Sequence, residues 1–141
     1  MREKKILFVD DEPWFAGPMV EELEEAGYQV IFAQNGTETL EILESGESID
    51  LIVLDIMMPT GERITDPLEG RRTGVKVGEF IRKEMKSRIP IVYLTVVSDQ
   101  AVHSHIEQIE KEAGLEAIIL VKPVFPRELV DKVKKLIGKP R

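Results

Sequence analysis

The chain reads as a doubly wound α/β domain, a five-stranded parallel sheet with helices on both faces. Two observations predict it. Five short apolar runs are nearly continuous instead of alternating, the pattern of strands buried on both faces. The segments between them repeat apolar residues at spacings of three and four, as amphipathic helices do. Strict alternation of the two types implies right-handed crossovers and a sheet covered on both sides.

The first strand is expected over Lys5–Val9. A helix follows from Trp14 to Ala26, with Phe15, Met19, Leu23 and Ala26 inward and Gly27 as its stop; Pro18 is placed in the first turn, where a missing amide proton costs least. The second strand is Gln29–Ala33, and the second helix Thr37–Leu43 turns Leu40 and Leu43 inward before Gly46. The third strand is Leu51–Leu54, and the third helix, Val75–Met85, buries Val77, Phe80 and Ile81. The fourth pair is Ile91–Leu94 and Gln100–Ala113, with Gly114 as the stop. The fifth pair is Ala117–Val121 and Arg127–Ile137, whose inner face carries Leu129, Val133, Leu136 and Ile137. Residues 59–74 form an extended loop containing Gly61, Pro67 and Gly70, longer than most connections in a compact domain. Residues 138–141 are a tail expected to fray.

The 141 residues suit one domain spanning 1–141, and 43% hydrophobic with 32% charged residues is an ordinary globular composition. With no cysteine, disulfides and thiolate chemistry are excluded, and a reducing cytoplasm is the expected location. The apolar run Ile6–Val9 is too short for a signal peptide, and nothing approaches the ~20 apolar residues needed to cross a bilayer. A net charge of −7 opposes unaided nucleic-acid binding. Residues Arg127 to Arg141 hold six basic and two acidic side chains, a local +4 that reads as a solvated helix face.

Ligands of such sheets bind beyond the carboxyl ends of the strands, where the winding reverses. There the sequence puts Asp10, Asp11 and Glu12, then Asp55, then Thr95, then Lys122 before Pro123. Carboxylates gathered at one edge repel one another, so the cluster makes sense chiefly around a cation. A hard divalent ion fits best, because magnesium takes oxygen ligands and is commonly shared between carboxylates and phosphate oxygens. The place is suited to receiving a phosphoryl group.

The stretches FVDDEP, LIVLDIMMP, PIVYLT and VKP together resemble the receiver domain of two-component response regulators, over nearly the whole chain. The resemblance implies a flavodoxin-like fold and a phosphorelay module in which Asp55 accepts a phosphoryl group from a histidine kinase or a histidine phosphotransfer protein. It also implies that Asp11 binds Mg2+ directly, Asp10 largely through water, and the acceptor Asp55 and the Met57 carbonyl complete the protein's share. Thr95 would hydrogen-bond the phosphoryl oxygens, and Lys122 would pair with the phosphoryl group, or with Asp55 beforehand. The Lys122–Pro123 bond is expected to be cis. At most the domain would catalyse its own phosphorylation and slow dephosphorylation; it is no conventional enzyme.

Several positions depart from that pattern. The connection from Pro59 to Gly74, the glycine that resembles the family's at the start of the third helix, is enlarged and offers Arg63, Arg71 and Arg72 as contacts. Ile119 stands where the family usually has an aromatic switch residue, leaving activation to Thr95 and the backbone or to Tyr93. Val96 replaces a small residue, and the apolar Met57 and Val97 are expected to hinder water and prolong the acyl phosphate. His103 and His105, two apart, do not share a helix face and read as surface residues.

Three functions compete. A stand-alone receiver would change its affinity for a downstream protein on phosphorylation; direct nucleic-acid binding is not expected of this sequence, which reads either as a stand-alone receiver or as a piece of a larger regulator, and the last basic helix is a candidate dimerisation or docking face. A pseudo-receiver would bind partners without phosphorylation, as Ile119 and Val96 suggest but the intact acidic pair, acceptor, threonine and lysine oppose. A magnesium-dependent aspartyl phosphatase would carry a second aspartate two residues after the nucleophile, where this chain has Met57.

Overall fold

A computed structural model describes residues 3–62, 72–95 and 100–140. Five strands and five helices alternate along it: β1 (Lys5–Val9), α1 (Pro13–Glu25), β2 (Gln29–Ala33), α2 (Gly36–Glu44), β3 (Leu51–Asp55), α3 (Thr73–Lys83), β4 (Ile91–Thr95), α4 (Gln100–Glu112), β5 (Ile118–Val121) and α5 (Pro126–Ile137). The strands form one parallel sheet in the order β2-β1-β3-β4-β5. The order reverses at β1, so the crevice lies beyond the carboxyl ends of β1 and β3.

Neighbouring strand residues point to opposite faces, and both faces are buried. On one side Ile6, Phe8, Leu51, Val53, Val92 and Leu94 pack against Met19 and Leu23 of α1 and Leu129 and Val133 of α5. On the other, Leu7, Val9, Ile52, Leu54 and Tyr93 pack against Leu40 of α2, Val77 and Ile81 of α3, and Ile106 and Ile109 of α4. This explains the continuous apolar runs. A sheet with one wet face would have alternated.

The strands lie within a residue of expectation, and two differences matter. Asp55 and Thr95 are the last residues of β3 and β4 instead of following them, so the ladder itself fixes both. Two helices begin at a proline, Pro13 and Pro126, because the first helical position needs no amide donor. Starting α1 at Pro13 puts Pro18 inside the helix, beyond the first turn where it was expected. Ala16 joins Met19 and Leu23 as fully buried, while Phe15 is only half-buried. Residues 138–140 are hydrogen-bonded to the body of the domain. Pro140 accepts a hydrogen bond from the Lys4 amide at 3.0 Å, Gly138 accepts one from the Tyr28 hydroxyl at 2.6 Å, and Ile137 accepts one from Lys4 Nζ.

The segment after β3 is tied to α2: Pro59 and Thr60 carbonyls accept from the amides of Gly36 and Thr37 at 3.1 and 3.0 Å. Arg63, Arg71, Val96 and Val97 lie outside the described residues, and Arg72 is the N-cap of α3. His105 is exposed beside Glu79, at 3.5 Å, as a surface residue should be. His103 differs: it is half-buried, and its Nε2 is out of solvent with no hydrogen-bond partner.

Candidate functional site

Parallel register sets the frame. Val9 is level with Leu54, Asp55 with Leu94, and Thr95 with Val121. Asp10, Asp55, Thr95 and Lys122 therefore emerge together at one edge of the sheet. The Lys122 amide donates to the Thr95 carbonyl at 2.6 Å, extending the β4–β5 pairing to the residue that carries the lysine.

Asp10 is fully buried, and both of its oxygens are engaged: Oδ1 accepts from the Glu12 amide at 2.8 Å and Oδ2 from Lys122 Nζ at 3.0 Å. Asp55 is 1% exposed. Its Oδ1 lies 3.5 Å from Lys122 Nζ, and its Oδ2 is buried with no hydrogen-bond partner. Lys122 pairs with Asp55, as the resemblance implies, and lies closer still to Asp10. Glu12, on the exposed side, lies 3.9 Å from the same ammonium. The lysine side chain itself is 8% exposed, and its Nζ sits 4.2 Å from the centroid of the Phe15 ring.

Carboxylate oxygens of Asp10, Asp11, Glu12 and Asp55 all lie within 4.8 Å of one another. With one lysine among them the cluster is under-neutralised. Burial first, then the charge of Asp10, pushes the Asp55 carboxyl up to about 7 against the pull of Lys122, and Asp11 adds to the rise. A cation would reverse that logic, since a nearby positive charge favours the ionised form. The hard oxygen donors and the orphaned Asp55 Oδ2 fit a divalent ion of the magnesium type.

The N-terminus of α3 closes against the acceptor. The Gly74 amide donates to the Ile56 carbonyl at 2.9 Å, and a Cβ at Gly74 would collide with the Asp55 carbonyl oxygen. Only glycine allows that approach. Met57, just beyond the acceptor, is exposed, and Thr95 is buried. Ile119 is half-buried among the side chains packed on the α3 and α4 side, beside Tyr93 in register.

Two groupings escaped the sequence reading. Phe15 packs against the core of the α1 and α5 side as its helical spacing predicts, and its ring also faces Lys122, which the spacing does not disclose. The second is a buried trio on the opposite side of the sheet from α1. Arg82 donates through Nε and Nη2 to Glu110 at 2.8 and 2.7 Å, and through Nη1 to the carbonyls of Ser87 and Ile89. The Tyr93 hydroxyl donates to Glu110 at 3.3 Å, and burial, reinforced by Glu110, drives its phenol far above the ordinary range. A signal for it existed. Glu110 falls on the same helical stripe as Val102, Ile106 and Ile109, a place where a charge needs a partner.

Residues 6–134 match the model of the response regulator receiver domain. The chain is 35% identical over 137 residues to the alkaline phosphatase synthesis transcriptional regulatory protein PhoP of Bacillus subtilis, covering 95% of this chain and 48% of that protein. It is 29% identical to the transcriptional regulatory protein CpxR of Escherichia coli, covering 94% of this chain and 49% of that one. The chain thus spans about half the length of these relatives. Among solved structures, the chemotaxis protein CheY4 of Vibrio cholerae superposes with a TM-score of 0.72 at 26% identity, over 95% of this chain and 98% of that one. A response regulator structure from Chloroflexus aurantiacus gives 0.73 at 27% identity, over 98% and 100%. No described helix is long and apolar enough to cross a membrane.

Proposed function

The chain belongs to the response regulator receiver domain family of two-component systems, and on that premise we propose that it is a phosphoacceptor module whose acceptor is Asp55. The observation that carries the reading is the buried, unpartnered Oδ2 of Asp55 inside an acidic cluster that one lysine leaves under-neutralised. Such a site is poised to take up a cation and then an anion. A relaxed salt bridge would not be.

An oxygen of ionised Asp55 attacks the phosphorus of a donor's phosphohistidine in line. The P–O bond forms as the P–N bond breaks, and the departing imidazole nitrogen keeps the electron pair. Asp10, Asp11, Asp55 and the Met57 carbonyl would hold Mg2+, which when bound offsets charge on the attacking and transferred oxygens. Lys122, already 3.5 Å from Asp55, takes an equatorial phosphoryl oxygen, and Thr95 at the end of β4 donates to another. Met57, exposed just beyond the acceptor, retards hydrolysis of the acyl phosphate.

The donor is a histidine kinase or a histidine phosphotransfer protein. Trp14, 89% exposed at the start of α1, and Phe125, 72% exposed just before α5, supply apolar surface beside the acidic site for such a protein to cover. Phosphorylation then changes the affinity for a downstream protein, working in the cytoplasm and without direct nucleic-acid contact by this domain.

Incubation with acetyl phosphate and Mg2+ followed by intact mass measurement tests the acceptor. One added phosphoryl group, absent in Asp55→Asn and absent without Mg2+, is expected. An unmodified wild-type chain would instead favour a partner-binding module that works without phosphorylation.

A further inference from the structure

Lys122 is drawn in several directions. Asp10 lies at 3.0 Å, Asp55 at 3.5 Å and Glu12 at 3.9 Å, and Glu12 is 56% exposed at its side chain, so it offers the ammonium a way out toward solvent. The ring of Phe15, with its centroid 4.2 Å from Nζ, is the neighbour that attracts the cation without being an anion.

That difference has mechanical consequences. A carboxylate in the ring's place would bind the ammonium directionally and add to the repulsion already felt by Asp55. An aromatic face attracts a cation through its quadrupole, tolerates a range of positions, and displaces water that would otherwise hydrate it. The lysine can then be held near the acceptor and still shift toward a phosphoryl oxygen as charge moves from Asp55. Phe15 is held for this purpose at both ends: its amide donates to the Glu12 carbonyl at 3.1 Å, and its side chain packs against the core on the α1 and α5 side. One short segment, Asp10 to Phe15, thus carries two of the lysine's three anionic neighbours and its aromatic one.

We propose that Phe15 is a positioning residue for phosphoryl transfer, its ring face holding the Lys122 ammonium between Asp10 and Asp55 and away from Glu12. The role rests on the phosphoacceptor reading above. It acts through Lys122 and touches no reacting atom.

The test compares Phe15→Leu and Phe15→Met, which keep apolar bulk but lose the ring, with Phe15→Tyr, which keeps it. With acetyl phosphate and Mg2+, the first two should lower the maximal phosphorylation rate about fivefold, with the KM for acetyl phosphate and the Mg2+ affinity within about twofold of wild type. Phe15→Tyr should restore the rate, and Phe15→Leu should add nothing in a Lys122→Met background. Independently of activity, the Lys122 Hε resonances should be shifted upfield by the ring in wild type and Phe15→Tyr and lose that shift in Phe15→Leu. Equal rates for wild type and Phe15→Leu, a Phe15→Tyr as slow as Phe15→Leu, or a further loss in the Lys122→Met background overturns the proposal. A wild-type chain that takes up no phosphoryl group at all overturns the phosphoacceptor reading instead, and the role with it, while an upfield Lys122 shift would still establish the ring contact.

Discussion

Among the described residues, two groups of charged side chains are built around buried members, and they are assembled in opposite ways. Around Arg82 the charges balance: one guanidinium meets one carboxylate through two hydrogen bonds, its third nitrogen satisfies two carbonyls, and Tyr93 completes Glu110. At the strand ends, one ammonium stands among Asp10, Glu12 and Asp55, and an Asp55 oxygen has nothing to bond. The satisfied group joins α3, α4 and β4 and has no work left to do. The unsatisfied one stores repulsion that an incoming cation can relieve, which is the physical difference between a brace and a receptor.

The largest effect should come from unbalancing the brace. Glu110→Ala leaves the Arg82 guanidinium buried without its anion, and breaking such a pair costs roughly 3–5 kcal/mol. A urea melt should show the loss, and at temperatures where the variant stays folded its phosphorylation by acetyl phosphate should be unchanged. A loss below about 1 kcal/mol would mean that the pair is hydrated and that the contrast between the two groups is false.

Neutralising the receptor should do the reverse. The Asp55 carboxyl is raised to about 7 in the fold, so the folded state binds its proton more tightly than the unfolded chain does. Its contribution is fully present below about pH 4 and is lost as pH rises through about 7. In metal-free buffer, Asp55→Asn should therefore match wild type below about pH 4, exceed it by roughly 1–2 kcal/mol near pH 5 and by roughly 4 kcal/mol at pH 8. Millimolar Mg2+ should shrink the difference at pH 8. A difference that is flat with pH, measured by paired urea melts, would show that Asp55 is not frustrated.

The same contrast explains what the sequence disclosed. Strands were legible because burial on both faces writes itself as continuous apolar runs, and the site was legible because β1, β3, β4 and β5 each deliver a polar residue at the same end. What escaped depends on side-chain reach. Nothing in the order of residues says that Lys122 lies closer to Asp10 than to Asp55, or that Phe15, spaced as a core residue, turns toward that lysine. The Arg82–Glu110 pair was hidden for a related reason: each residue sits on an apolar stripe of its own helix, and only packing α3 against α4 joins them. Pro18 was misplaced because the helix starts at Pro13, and the tail's anchorage needs Lys4 and Tyr28, more than a hundred residues away in sequence.

The smallest expected effect separates chemistry from recognition at the unsatisfied site. Trp14 adjoins Phe15 on the first turn of α1 but is 89% exposed, so it contributes nothing to holding Lys122 and little to the core. A large apolar side chain left in water next to an acceptor is useful only when something covers it, and covering an exposed aromatic anchor is commonly worth on the order of 1–2 kcal/mol in a protein interface. Trp14→Ala should leave the melting midpoint and the rate with acetyl phosphate unchanged, because that small donor needs only the acidic pocket. With a phosphorylated histidine-containing donor protein, the same variant should transfer about tenfold more slowly at sub-saturating donor concentration. Equal slowing with both donors would move Trp14 into the machinery that holds the lysine, and no slowing with either would place the donor on another face of the domain.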